Sequence, residues 1–82
     1  MNENSNKYQT TDLCLATTIS LWYSPTDFFK RGNKVIFVFS ETKEVTNLIS
    51  LYWQNKIKVE PKQFFSQLKN LKTRIYSITS TA

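Results

Sequence analysis

Apolar positions recur at helical spacing in three segments of this 82-residue chain. The clearest segment, about Thr42 to Gln54, has apolar residues at positions i, i+3, i+4, i+7 and i+8, which predicts an amphipathic helix. The pattern also predicts a first helix from about Thr11 to Leu21 and a third from about Pro61 to Tyr76. The residues expected to face the core on the third helix are Phe64, Leu68, Leu71 and Ile75.

Capping residues support these helix boundaries. Thr10 or Thr11 is expected to cap the first helix, with Asp12 in its first turn, where the helix dipole favours an anion. Asn55 is expected to end the second helix. Pro61 suits the first position of the third helix, because its missing N–H has no partner there in any case.

Two extended segments lie between the first and second helices. A short strand is predicted from Thr26 to Lys30 and a second from Val35 to Ser40, and the only glycine, Gly32, supplies the tight turn between them. Both faces of the second strand are apolar, which is typical of an inner strand or one covered on both sides. Lys56 to Glu60 is predicted to be extended, as a candidate third strand at the hairpin edge.

This order predicts a small single α+β domain, helix-strand-strand-helix-helix, with a small antiparallel sheet packed against helices. The domain is expected to cover residues 10–76, between a flexible, polar N-terminal leader over residues 1–9 and a polar C-terminal tail over residues 77–82. A chain of this length buries one compact core and has little room for a deep, enclosed active site. A binding surface is therefore the favoured kind of functional site.

The excess positive charge of the chain lies in its last third. From Lys56 onward there are six bases against Glu60 alone, and this difference equals the net charge of +5 for the whole chain. On the third helix, cations and aromatic residues interleave on a sector beside the inward stripe. Lysines neutralise phosphates while aromatic rings stack on unpaired bases, a combination typical of single-strand binding. The predicted nucleic-acid-binding residues of this helix are Lys62, Phe65, Lys69, Lys72, Arg74 and Tyr76.

A second basic cluster, Lys30, Arg31 and Lys34, surrounds the predicted turn and is a candidate for contacts to a phosphate backbone without base recognition. A purely structural interpretation competes for both clusters. In it, Phe65 and Tyr76 widen the core stripe, and the charges keep the helix and the hairpin tip solvated. The two clusters can cooperate only if they share one face, which the sequence leaves open.

The sequence predicts no enzyme, no cofactor, no metal site and no small-molecule substrate. It contains no histidine, which removes the usual catalytic triads and most zinc sites. The single Cys14 cannot form an intrachain disulfide, and it is expected to be buried and inert between Leu13 and Leu15. No apolar run is long enough to span a bilayer, so no membrane association is expected. We expect a cytoplasmic protein.

Two aromatic pairs, Trp22 with Tyr23 and Tyr52 with Trp53, follow or end predicted helices. Side chains of this size are expected to close the core of so small a domain. If a tryptophan is exposed, it instead marks a protein interface, where such residues dominate affinity. The main functional prediction is therefore a nucleic-acid-associated or regulatory protein. The alternative is a protein-interaction module or homodimer without a nucleic-acid role.

Several short motifs resemble a family of small uncharacterised bacterial and mobile-element proteins. The start of that family, Y-x-T-x-D-L-x-L-A, matches the residues from Tyr8 to Ala16. An F-x-F strand matches Phe37 to Phe39, and further similarity covers Tyr52-Trp53, Pro61 and Phe64 to Tyr76. The resemblance implies an α+β arrangement in a domain of unknown function. It carries over no catalytic or binding residue.

Overall fold

The computed structural model describes residues 6–79, which form a three-stranded sheet and three helices. The α+β class is confirmed, and the predicted run of helix, strand, strand, helix and helix is present with one further strand before it. In chain order the elements are β1 (Lys7–Thr10), α1 (Leu13–Ser20), β2 (Asp27–Arg31), β3 (Lys34–Ser40), α2 (Lys43–Trp53) and α3 (Pro61–Thr79).

The sheet is antiparallel with strand order β1-β3-β2, so β3 is the inner strand. This confirms the position that its two apolar faces predict. Because successive side chains of a strand point to opposite faces, Phe37 and Phe39 share one face of the sheet. Phe37 lies opposite Phe28 of β2, and Phe39 lies opposite Tyr8 of β1.

A two-residue turn, Gly32-Asn33, joins β2 to β3. Gly32 has a φ of 63°, and Asn33 is not among the described residues with a positive φ. Glycine at the first central position, with a positive φ there alone, fits a type II′ turn, whose twist matches that of the flanking strands. The turn therefore fixes the register in which Arg31 lies opposite Lys34.

The strand β1 corrects two predictions. Residues 7–9 were expected in a flexible leader but belong to an edge strand that pairs with β3. This strand is mostly polar, so it is held in place by its backbone hydrogen bonds to β3 and by Tyr8, which packs against the core. The segment from Lys56 to Glu60 forms no strand, and β1 is the third strand of the sheet instead. Residues 1–5 of the expected leader lie outside the described residues.

The first helix begins two residues later than predicted, because Asp12 is its N-cap rather than part of its first turn. The Leu15 N–H donates to Asp12 Oδ1 at 3.1 Å. Thr10, one of the two predicted caps, instead accepts a hydrogen bond from the Asp12 N–H at 3.0 Å. A carboxylate at this position accepts a free N–H and also complements the positive end of the helix dipole.

The second helix is capped at both ends, and Asn55 ends it as predicted. Thr42 is the N-cap and accepts from the Val45 N–H. At the other end Asn55 has a φ of 59°, its N–H donates to the Tyr52 carbonyl, and the Lys56 N–H donates to the Leu51 carbonyl. These two bonds define a Schellman motif, which ends the helix with a residue in the left-handed region.

The third helix begins at Pro61, as predicted, and Glu60 caps it by accepting from the Gln63 N–H at 2.8 Å. The helix continues to Thr79, so residues 77–79 of the expected polar tail are helical. Residues 80–82 lie outside the described residues. The Gln67 amide donates to Ser20 at the end of α1, whereas Ile75, further along α3, lines a groove with Leu13 at the start of α1, so the two helices run antiparallel.

All three helices of the described chain pack on one face of the sheet. The buried core joins Leu15 and Ile19 of α1, Val45 of α2 and Leu71 of α3 to the inner strand. We call this side of the sheet the helix-side face. The shortest extent of the molecule is 17 Å, which fits one sheet layer and one helix layer. The opposite side, here the helix-free face, carries Lys7, Gln9, Asp27, Phe29, Arg31, Lys34, Ile36, Val38 and Ser40.

The central helix α1 buries two threonines, Thr17 and Thr18, between its neighbours. Each hydroxyl donates to the carbonyl four residues earlier, Leu13 and Cys14 respectively, at 2.7 and 2.9 Å. The buried hydroxyls are therefore satisfied without a partner from another element. Packing between α2 and α3 compensates for the low helix propensity of these branched residues.

Candidate nucleic-acid interface

The core contacts of α3 determine which of its side chains face solvent. Leu71 is buried in the core cluster and Ile75 packs against it. Since an α-helix turns about 100° per residue, the positions that lie about 100° to 180° around the helix from Leu71, on one side, form a separate sector away from the core. We call this sector the outer α3 face, and its members are Lys62, Phe65, Lys69, Lys72 and Tyr76.

The aromatic side chains of the outer α3 face project into solvent. Phe65 is 58% exposed and Tyr76 is 71% exposed, so neither widens the core stripe. The Lys69 ammonium lies 5.4 Å from the centre of the Phe65 ring, within cation–π range. At about 1.5 Å per residue, the backbone positions of Phe65 and Tyr76 lie about 16 Å apart along the helix axis. The two rings are thus suited to contact different segments of one extended ligand.

No negative charge lies on α3 itself. The sequence from Pro61 to Thr79 contains four cations and no Asp or Glu, and Glu60 caps the helix from just outside it. The three lysines of the outer α3 face are all exposed. Their positive potential is therefore not offset by carboxylates on the same helix.

Arg74 does not belong to the outer α3 face. Its guanidinium lies 5.2 Å from the centre of the Phe28 ring, on the flank of α3 that contacts β2. This contact ties the helix to the sheet edge and stacks a cation on an aromatic ring. The sequence placed Arg74 with the other helix cations, whereas the structure separates it from them.

The second basic cluster, Lys30, Arg31 and Lys34, is divided between the two faces of the sheet. Because strand residues alternate, Lys30 belongs to the helix-side face, whereas Arg31 and Lys34 belong to the helix-free face. The Arg31 guanidinium lies 5.3 Å from the centre of the Phe29 ring. Lys34 also borders a groove between the hairpin, α1 and α3. The nine predicted site residues therefore occupy three places: the outer α3 face, the edge at β2, and the hairpin end of the helix-free face.

Most of the large aromatic residues expected in the core lie at the surface. Trp22 is 49% exposed and Trp53 is 62% exposed, and Tyr23 is exposed as well. Of the four, Tyr52 alone packs against the core cluster, with its ring edge against Trp53 at 5.0 Å between centroids. The core of this domain is small, and Phe37, Phe39 and Leu15 fill much of it.

Cys14 is exposed, which corrects the expectation of a buried thiol. It lies on the outer side of α1, where it borders a groove with Tyr52 and Trp53 of α2. A hydrogen bond to Cys14, burial, and negative charge on Cys14 and Asp12 raise the pKa of Tyr52 to about 12. The position of Cys14 between two leucines in the sequence does not reveal that its side chain is exposed, because adjacent helix residues point in different directions.

Among the described residues, neither a metal site nor a membrane span competes with the outer α3 face as a candidate functional feature. Within residues 6–79, His, Cys, Asp and Glu form no group of three or more that is suited to hold a metal ion. The helices of this part of the chain include none that combines the length and the apolar character needed to cross a bilayer.

The fold and this surface define a small α+β domain with an exposed basic and aromatic helix face. The chain belongs to the DUF5659 family, a domain of unknown function, whose family model matches residues 5–77. This confirms the expected membership in an uncharacterised domain family. No curated protein and no solved structure matched the chain.

Proposed function

We propose that this protein binds single-stranded nucleic acid, without base specificity, through the outer α3 face. The observation that carries the proposal is the exposure of Phe65 and Tyr76 among lysines on a helix without acidic residues. The same surface suits a regulatory protein that acts by covering unpaired nucleic acid.

Electrostatics supports the phosphate part of this proposal. Each lysine that neutralises a phosphate releases condensed counterions, and this release supplies most of the free energy of sequence-independent binding. Lys62, Lys69 and Lys72 are free of carboxylates on their own helix, so their charge remains available to a polyanion. Binding is expected to weaken steeply as salt is added.

The aromatic rings favour unpaired strands over duplex. In a duplex the base faces are stacked on each other, whereas an unpaired base can stack on an exposed ring. Phe65 and Tyr76 are far enough apart to stack different bases of one strand. Because every base has a stacking face, such contacts give little sequence preference.

The proposal is tested by fluorescence anisotropy with labelled single-stranded and duplex oligonucleotides, comparing wild type with Phe65→Ala/Tyr76→Ala. Stacking contributes about 1–3 kcal/mol per base, so we expect the double variant to bind single strands at least tenfold more weakly. Trp53→Ala removes an exposed ring elsewhere and serves as the control. Equal affinity of the double variant and wild type for single strands would contradict the stacking role.

The cellular setting is part of the same proposal. We assign the protein to the cytoplasm of a bacterial or mobile-element host, supported by the resemblance of its motifs and by a single cysteine without an intrachain partner. The proposal includes no catalytic activity, cofactor or small-molecule substrate, which agrees with a chain that lacks histidine.

A second candidate function is a protein-interaction module or homodimer, favoured by the exposure of Trp22 and Trp53. Exposed tryptophans are enriched among residues that dominate protein interfaces. Molar mass from light scattering at increasing concentration tests the homodimer directly. A mass that doubles in wild type but not in Trp53→Ala would support it, and a constant monomer mass of 9.7 kDa would exclude it.

A further inference from the structure

The side chains on the helix-free face of the sheet form rows across the strands, and the rows differ in charge and polarity. Its first row, at the hairpin end, pairs Arg31 with Lys34. Its second row pairs Phe29 with Ile36, and its third places Val38 between Asp27 and Gln9. Ile36 and Val38 are buried beneath this face, whereas Phe29 is half-buried, so Phe29 is the apolar side chain that a ligand can reach beside the two cations.

The two cations at the hairpin end repel each other. Directly opposite residues on one face of a sheet have Cβ atoms about 5 Å apart, and like charges in such pairs are destabilising. The carboxylate on this face, Asp27, lies four residues along β2 from Arg31, about 13 Å at the usual rise of a strand. An anion bound between Arg31 and Lys34 would relieve this repulsion.

We propose that the helix-free face is a second binding surface for an unpaired segment of nucleic acid. A phosphate binds between Arg31 and Lys34, and the neighbouring base stacks on the platform formed by the Arg31 guanidinium and the Phe29 ring. Guanidinium planes and aromatic rings both accept unpaired bases in this way. A nucleic acid fits better than an acidic peptide, because it brings a planar ring and a negative charge together in each unit.

This second surface lies on the other side of the molecule from the outer α3 face. All three helices of the described chain cover the helix-side face, and the outer α3 face points away from the core and the sheet. The inference rests on the proposed function and extends it, since one molecule then holds two unpaired segments at once. Such a protein brings two strands, or two parts of one strand, together.

Photo-crosslinking locates the two surfaces independently. A single-stranded oligonucleotide carrying 5-iodouracil forms adducts with aromatic side chains that stack on it, and fragment spectra of the digested protein identify the residues. We expect adducts at Phe29 as well as at Phe65 or Tyr76. The variant Arg31→Gln/Lys34→Gln should lower the Phe29 adduct about tenfold and leave the others unchanged. Lys43→Gln/Lys56→Gln, with the same change in net charge, should alter neither.

The outcomes separate the two proposals. Adducts at Phe65 or Tyr76 without one at Phe29 would overturn the second surface and leave the proposed function standing. An adduct at Phe29 without adducts on α3 would support the second surface and overturn the outer α3 face. If polyglutamate binds the wild type in a way that depends on Arg31 and Lys34, while the oligonucleotide gives no Phe29 adduct, the occupant is an acidic protein and the inference is wrong.

Discussion

At the residue scale, the contact between Cys14 and Tyr52 couples two helices through a titratable group. The hydrogen bond to Cys14 is the largest cause that raises the pKa of Tyr52 to about 12, above an ordinary value of 10. The folded state therefore holds the phenol neutral over a range in which the unfolded chain ionises. This contribution to stability is fully present below pH 10 and is lost as the pH rises from 10 toward 12.

We predict that Cys14→Ala lowers the pKa of Tyr52 toward 10, because the largest cause of the shift is removed. Tyrosinate absorbance followed against pH measures the effect, and Tyr52→Phe identifies which part of the titration belongs to Tyr52. The alkaline loss of folding stability between pH 10 and 12 should become smaller in Cys14→Ala. An unchanged Tyr52 titration would show that Cys14 does not control it.

At the element scale, the end of α2 depends on a residue in the left-handed region. Asn55 has a φ of 59°, where residues with a Cβ other than Asn or Asp are strained. Glycine adopts this conformation without a steric penalty. Asn55→Gly keeps the Schellman motif, whereas Asn55→Ala forces a strained residue into it.

We predict that Asn55→Ala lowers the free energy of unfolding by about 1 kcal/mol, and that Asn55→Gly keeps or slightly raises it. Urea unfolding followed by far-UV circular dichroism gives both values. Thr46→Ala, at an exposed position inside the same helix, serves as the control for side-chain truncation. Equal destabilisation by both Asn55 substitutions would mean that the positive φ does not determine the stability of this end.

The sequence predicts those helices and strands whose apolar periodicity and end residues lie within the element itself. The two long helices and β3 were predicted within a few residues, because apolar periodicity and end residues such as Asn55 and Pro61 act locally. The strand β1 was missed because Tyr8 is the one apolar residue among its four. Its backbone also pairs with β3, which lies about 30 residues away in the sequence. Such long-range pairing leaves little signal in a four-residue segment.

At the scale of the whole molecule, the candidate site was predicted in part. The sequence identified the lysines and rings of α3 as a set, and the structure places five of them on one outer face. It did not reveal that Arg74 turns toward Phe28, or that Lys30 and Arg31 lie on opposite faces of the sheet. The position of Arg74 depends on how α3 packs against β2, which tertiary contacts determine. The division of Lys30 and Arg31 follows from strand alternation once β2 extends through Arg31, whereas the predicted strand ended at Lys30.

The same limit applies to the aromatic residues. Composition alone favoured Trp22 and Trp53 as core residues, yet the three helices cover a core that Phe37 and Phe39 largely fill. Large aromatic residues therefore remain on three parts of the surface: the outer α3 face, the end of α2 and the segment after α1. These exposed rings are the surface features on which both proposed binding functions rely.

The most direct test of the outer α3 face is the salt dependence of single-strand binding by Lys62→Gln/Lys69→Gln/Lys72→Gln. The matched control, Lys43→Gln/Lys56→Gln/Lys58→Gln, has the same net charge but removes exposed lysines outside α3. For single strands the slope of log affinity against log salt falls by about 0.7 per lost phosphate contact, so the α3 variant should lose about 2. The control should keep most of the wild-type slope. Equal slopes and affinities for the two triple variants would show that general positive charge, and not the outer α3 face, binds the nucleic acid.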